Sequence, residues 1–183
     1  IEKLQEAVNK NKDRFLFEMA TGTGKTLTSA AVIRLFLRTK NARRVLFLVD
    51  RLELEDQAWK AFTNYLKPDY TTYIYKEHKN DWHKADIVVT TVQSLTFDNK
   101  YSYLFSPNDF DLIIIMLGTN DVLNNIDFSN QKTADVLKIY VEECRAKFGN
   151  DKPKILLVSP ILINDNCLTH PIFKELYSEK SDR

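Results

Sequence analysis

Short apolar runs alternate along the chain with longer segments whose apolar residues recur at helical spacing, and this alternation leaves few architectures open. Runs at 15–17, 45–49, 72–75, 87–90, 112–117 and 155–158 are rich in β-branched and aromatic residues and are bounded by polar or turn residues, as buried strands are. Residues 26–39 read as a helix behind the first run. After the second run, Asp50 is placed to cap a helix whose Leu54, Ala58, Phe62 and Tyr65 or Leu66 share one face. Ser129 begins a further helical stretch with Leu137, Tyr140, Val141, Cys144 and Phe148 on one side, ended by Gly149 and Pro153. The polar segment 76–84 reads as a loop or short helical turn, and 171–177 as a last helix. The pattern predicts an α/β fold of three layers, α/β/α, around a mainly parallel sheet. With no internal repeat and no Gly/Ser/Pro-rich linker, residues 1–183 are expected to form a single α/β domain.

Only 4 glycines occur in 183 residues, where average usage gives roughly 13, so the position of each one is informative. The two cysteines, Cys144 and Cys167, match no zinc spacing and no disulfide scaffold, which favours a reducing, cytoplasmic setting. No apolar run approaches the roughly 18 residues of a membrane span. Residues 1–110 carry 17 basic and 14 acidic groups and 111–183 carry 9 and 11, so bulk charge draws no nucleic acid to either half. Any such contact has to come from placed residues, and none of these features sets the oligomeric state. His78, Asp81 and His83 lie close in sequence, but with no Cys nearby they read as a solvated surface rather than a metal site.

Two of the glycines fall in Met19-Ala20-Thr21-Gly22-Thr23-Gly24-Lys25-Thr26, between the first strand and its helix. Glycines there let backbone N–H groups curl around an anion, and the helix that follows points its positive end at the same place. A Walker A phosphate loop of this kind predicts a nucleotide, phosphate or sulfate site built from Thr21, Gly22, Thr23, Gly24, Lys25 and Thr26. Lys25 would reach the β- and γ-phosphates of ATP, and the Thr26 hydroxyl would be the ligand to Mg²⁺. Met19 stands where the full pattern has its first glycine.

The segments 17–26, 44–54 (Arg-Val-Leu-Phe-Leu-Val-Asp-Arg-Leu-Glu-Leu) and 87–95 (Ile-Val-Val-Thr-Thr-Val-Gln-Ser-Leu) together resemble the first RecA-like domain of superfamily 2 helicases. Within that group they are most similar to the motor subunit of type I restriction enzymes. The resemblance covers residues 1 to about 114. It implies ATP with Mg²⁺ as cofactor, Gln5 as an adenine reader, and Arg51, Thr90, Thr91 and Gln93 as contacts to a nucleic-acid backbone. Without the family, Gln5 and Gln93 read equally as surface amides and Arg51 as a solvated first-turn residue.

The family pattern breaks after Asp111-Leu-Ile-Ile-Ile (111–115), where a motor carries an Asp for Mg²⁺ and a Glu for the attacking water. Here Met116-Leu117-Gly118-Thr119-Asn120-Asp121 follows. Loss of one preorganised electrostatic element costs about 10²- to 10³-fold in rate, and an absent arginine finger from a second motor domain about 10³- to 10⁵-fold. Nucleotide binding, weakened, with negligible hydrolysis is therefore expected, and any nucleic-acid contact is expected to be weak. Residues 111–121 and 154–160 resemble instead the GDSL/SGNH acyl-hydrolases, in which Asn120 would serve an oxyanion hole. No Gly-Asp-Ser nucleophile block is present, and Cys167 rather than an Asp stands three residues before His170, with Asp165 five away. An esterase is thus the least favoured reading, with Asn120 and Asp121 as turn residues, and no catalytic residue is assigned. Together the two resemblances imply an engineered chimera, a helicase-like 1–112 joined to a flavodoxin-like, SGNH-like 113–183, with an inactive designed scaffold made by fold recombination as the alternative reading.

Overall fold

The computed structural model describes residues 1–19, 22–96, 106, 109–116, 138–139, 141–142, 145–146 and 153–159. Six strands form one parallel sheet: β1 (Arg14–Glu18), β2 (Val45–Val49), β3 (Thr72–Ile74), β4 (Ile87–Thr91), β5 (Leu112–Met116) and β6 (Lys154–Ser159), in the order β1-β6-β5-β2-β4-β3. Among the described residues they are accompanied by α1 (Glu2–Asn9), α2 (Lys25–Arg38), α3 (Leu52–Leu66) and the short α4 (Val92–Thr96), with a 3-10 turn at Trp82–Lys84, and residues 138–139, 141–142 and 145–146 are also helical. Among the described residues no helix is long and apolar enough to cross a membrane.

Strand side chains alternate between two cores. On one face Val45, Phe47, Val49, Leu112, Ile114, Met116, Leu156 and Val158 pack with Leu4 of α1, Ile33 and Phe36 of α2, and Ala58 and Phe62 of α3. On the other, Leu46, Val88, Ile113, Ile115, Ile155 and Leu157 pack with Tyr75, Leu95, Phe110 and Val141. Both faces are covered, which is why the strands read as near-continuous apolar runs. Within α3 the face is settled by burial: Leu66 is 2% exposed and Tyr65 54%.

Two local expectations change. The N-cap of α3 is Arg51, extended at φ −138°, and no side chain caps it. Asp50 follows the last residue of β2 and stands one residue too early, because the helix starts with the bond from Glu55 N to the Arg51 carbonyl at 3.0 Å. The eight-residue α1, not anticipated as an element, is held through Leu4 at 3% exposure.

The N-terminal edge of the sheet is tied by side chains. Arg44 Nε donates to the Ala85 carbonyl at 3.1 Å and Nη1 to that of Asp109 at 3.2 Å, while its guanidinium lies 5.7 Å from the Trp82 ring centroid. The Asp111 carboxylate accepts the Arg43 N–H at 2.8 Å. Arg145 Nη2 lies 2.9 Å from Asp13 Oδ2, and Nη1 donates to the Pro153 carbonyl at 2.9 Å. These bonds hold the starts of β1, β2, β4, β5 and β6 in register.

Candidate functional site: the loop between β1 and α2

The loop leaves the C-terminal edge of the sheet and turns back through two left-handed residues, Gly22 at φ +79° and Gly24 at φ +84°. Among the described residues, a Cβ at Gly22 would have no heavy atom within 4 Å, and one at Gly24 would meet only Leu27 Cβ at an ordinary 3.9 Å. Glycine is required there by backbone conformation, not by crowding. Gly24 is also the N-cap of α2 and offers no side chain to the first turn, which carries no acidic residue. The positive end of the helix dipole is therefore met by no carboxylate of its own first turn, the local electrostatics of an anion site.

Lys25 folds back across this loop, with Nζ 3.5 Å from the Met19 carbonyl. Partial burial pushes its ammonium below its ordinary pKa, as expected of a cation drawn from water without full compensation. Thr26, half-buried, occupies the first turn of α2. Thr21 lies outside the described residues. Gln5 is exposed on α1, and among the described residues its side chain makes no hydrogen bond to the loop.

The residues expected to contact nucleic acid divide into two pairs. Arg51 and Gln93 are exposed beyond the C-terminal ends of β2 and β4. Thr90 and Thr91 are not available: they are 0% and 2% exposed. The Thr91 hydroxyl lies 2.7 Å from Ser94 Oγ and accepts the Ser94 N–H at 3.1 Å, capping α4. Strand periodicity buries both threonine side chains, one on each face.

The end of β5, where a motor would hold its metal carboxylate, carries Met116 at 6% exposure, paired in register with Val49 and Val158. Its side chain lies on the same face as α2. The left-handed glycines and the unopposed start of α2 thus fit a polyphosphate, and Met116, at the end of β5, is no ligand for its metal. Gly118, Asn120, Asp121, Asp165, Cys167 and His170, which carry the acyl-hydrolase resemblance, lie outside the described residues.

A second charged pair, besides that of Asp13 with Arg145, is not apparent from the sequence. Glu55 is fully buried in the first turn of α3, with Lys76 Nζ 2.6 Å from its Oε2, and Oε1 has no hydrogen-bond partner among the described residues. The signal was available, since Glu55 occupies the first position of the apolar stripe 55-58-62-66. His78 Nδ1 lies 3.1 Å from Asp81 Oδ1, and the ring stacks on Tyr73 at 3.8 Å.

The family model described as "Type III restriction enzyme, res subunit" matches residues 1–115, well over half of the chain. The chain belongs to that family. Res-type similarity extends to the Type I restriction enzyme EcoAI endonuclease subunit of Escherichia coli, 36% identical over 118 residues, covering 63% of this chain and 14% of that protein. The SsaAORF53P endonuclease subunit of Staphylococcus saprophyticus is 23% identical over 153 residues, 80% of this chain and 14% of the relative. The chain therefore spans about one seventh of the length of these relatives. The crystal structure of the UvsW helicase from bacteriophage T4 superimposes with a TM-score of 0.56 at 16% identity, covering 94% of this chain and 55% of that one, a likeness of fold. The N-terminal 115 or so residues of this res-family chain thus share their family with restriction-enzyme subunits and their α/β fold with that structure.

Proposed function

We propose that the chain is a nucleotide-binding motor domain that holds ATP through residues 21–26 and turns it over slowly or not at all. The observation that carries this reading is the pair of left-handed glycines, Gly22 and Gly24, opening an α2 whose first turn has no acidic residue. Backbone N–H groups of the loop bind the phosphates, Lys25 leaves the Met19 carbonyl for the β- and γ-oxygens, and Gln5 reads the base. When bound, Mg²⁺ would neutralise phosphate charge, with the Thr26 hydroxyl as its protein ligand. Met116 supplies no carboxylate at the end of β5, so the metal is held less firmly and the attacking water is left unpositioned, a loss of about 10²- to 10³-fold in rate. Nucleic acid is contacted weakly along the same edge, by Arg51 and Gln93.

Titration with a fluorescent ATP analogue tests the reading. Saturable binding that Lys25→Ala abolishes, with hydrolysis at background, is expected; no saturable binding, or binding indifferent to Lys25→Ala, overturns it.

The observations favour one α/β unit across the whole sheet. β6 seats between β1 and β5, and the alignment to the Staphylococcus relative, at 80% of the chain, runs past residue 115. A separate SGNH-like origin for 113–183 rests on the sequence resemblance alone, and hydrolysis of a p-nitrophenyl ester, lost in Asn120→Ala, would be its signature.

A further inference from the structure

The cations of the first half of the chain are not scattered evenly over the surface. Phe15, at the start of β1, meets Phe36, in the last turn of α2, with ring centroids 6.3 Å apart. This contact brings together two connections at the N-terminal edge of the sheet, residues 10–14 and 38–43. Both helices end there in a left-handed residue, Asn11 at φ +57° and Lys40 at φ +58°. The connections carry Lys10, Lys12, Arg14, Arg38, Lys40 and Arg43.

Among the described residues, the carboxylates shown against these connections, Asp13 and Asp111, are already engaged. Asp13 is bound to Arg145 at 2.9 Å and lies 3.5 Å from Arg14. Asp111 accepts the backbone N–H groups of Arg43 and Arg44 at 2.8 and 3.4 Å and lies 3.7 Å from Arg43 Nε. Lys10, Lys12, Arg38 and Lys40 are all exposed, and none has a side-chain partner among the described residues. With strands of five residues this edge lies about 16 Å from the phosphate-loop edge, too far to share a ligand with Gly22 to Thr26.

We propose that this N-terminal edge is a second anion surface, one that takes the phosphate backbone of duplex nucleic acid. The starts of β1, β6, β5 and β2 span three strand spacings, about 14 Å, a strip along which a duplex presents several phosphates. The mode of contact is electrostatic and independent of sequence, since the cations are flexible and no planar donor pair is fixed for base edges.

The test uses the full chain and a fluorescein-labelled 20-base-pair duplex, followed by anisotropy between 50 and 200 mM salt. The four-fold variant Lys10→Gln/Lys12→Gln/Arg38→Gln/Lys40→Gln should lower the slope of log affinity against log salt by about three to four, while Lys25→Ala and Arg51→Gln each change it by about one or less. Four outcomes overturn the proposal. Wild-type protein that does not bind the duplex removes the surface altogether, and an unchanged slope in the four-fold variant places binding elsewhere. Equal affinity for poly-glutamate makes the partner an acidic protein. A lowered melting temperature with unchanged binding shows that the cations only meet the helix dipoles. Because the ATP-analogue titration depends on Lys25 alone, failure of either reading leaves the other standing.

Discussion

Lys76 Nζ lies 2.6 Å from Oε2 of Glu55, joining the end of β3 to the first turn of α3 through a carboxylate with no exposed surface. Removing one member of a buried pair strands the other and costs roughly 3–5 kcal/mol. Lys76, whose side chain is 36% exposed, places Lys76→Met at or below the lower end of that range. The double variant Glu55→Leu/Lys76→Met should recover most of the loss in urea unfolding; a double variant as unstable as the single one would show that the apolar pair does not pack. The hydrogen bond to Glu55 raises the Lys76 pKa above its ordinary value. The stability it contributes is full below about pH 10.4, the unfolded value, and is lost as pH rises through the higher folded value. Wild-type melting temperature should fall more steeply above pH 10.5 than that of the double variant.

Gly24→Ala introduces a side chain at φ +84° where only an ordinary contact awaits it. The cost is conformational, about 1–2 kcal/mol, and chemical denaturation should report it. Nucleotide binding should fall far more than this stability loss implies, because the N–H groups of the turn would be re-aimed. Binding retained at near wild-type affinity would mean that the loop conformation is not what holds the phosphate.

Burial lowers the Lys25 pKa, and a bound polyphosphate would raise it again. At alkaline pH below about 10.4, the ordinary lysine value, nucleotide binding should therefore take up a proton, visible in calorimetry as a heat that depends on the ionisation enthalpy of the buffer, and affinity should decline as pH rises through the lowered value. In the free protein the sign is opposite. Folding disfavours the ammonium, so the penalty is full below the folded pKa and is relieved as pH rises through it toward the unfolded value. A binding heat independent of buffer would remove Lys25 from direct contact with the phosphates.

Asp13 and Arg145 are separated by 132 positions and meet at 2.9 Å. If residues 1–183 unfold as one unit, Arg145→Ala should lower the midpoint of a single transition, by about 1.5–3 kcal/mol for a hydrogen bond between charged groups. Asp13→Ala and Arg145→Ala should be strongly non-additive in a double-mutant cycle. Two resolved transitions would divide the chain.

Much of this fold is legible because its strands are buried on both faces: 45–49 and 112–116 are apolar at every position, and the glycine loop marks where β1 gives way to α2. Side-chain direction at the strand ends is harder to read. Thr90 and Thr91 look like polar termini, yet the strand continues through both and turns one hydroxyl to each face. Asp50 has the chemistry of a cap but lies in the bend between β2 and Arg51, and local sequence does not fix which residue of such a bend opens the helix. The pairing of Glu55 with Lys76 and of Asp13 with Arg145 depends on strand order, which is set by contacts far apart in the chain. The left-handed glycine loop is local and is therefore legible; the cationic N-terminal edge, assembled by the meeting of Phe15 and Phe36, is not.

The seating of β6 also bears on the order in which the molecule can be built. β1 pairs with β6, and the two segments are separated by 135 residues of chain, from Glu18 to Lys154. Among the described strands β1 has no other neighbour, so on a ribosome the strand that leads into the glycine loop waits for nearly the whole of this chain to emerge before it can join the sheet. Closing so long a loop is slow. Nucleotide capture would then mark the completion of folding rather than assist its early stages.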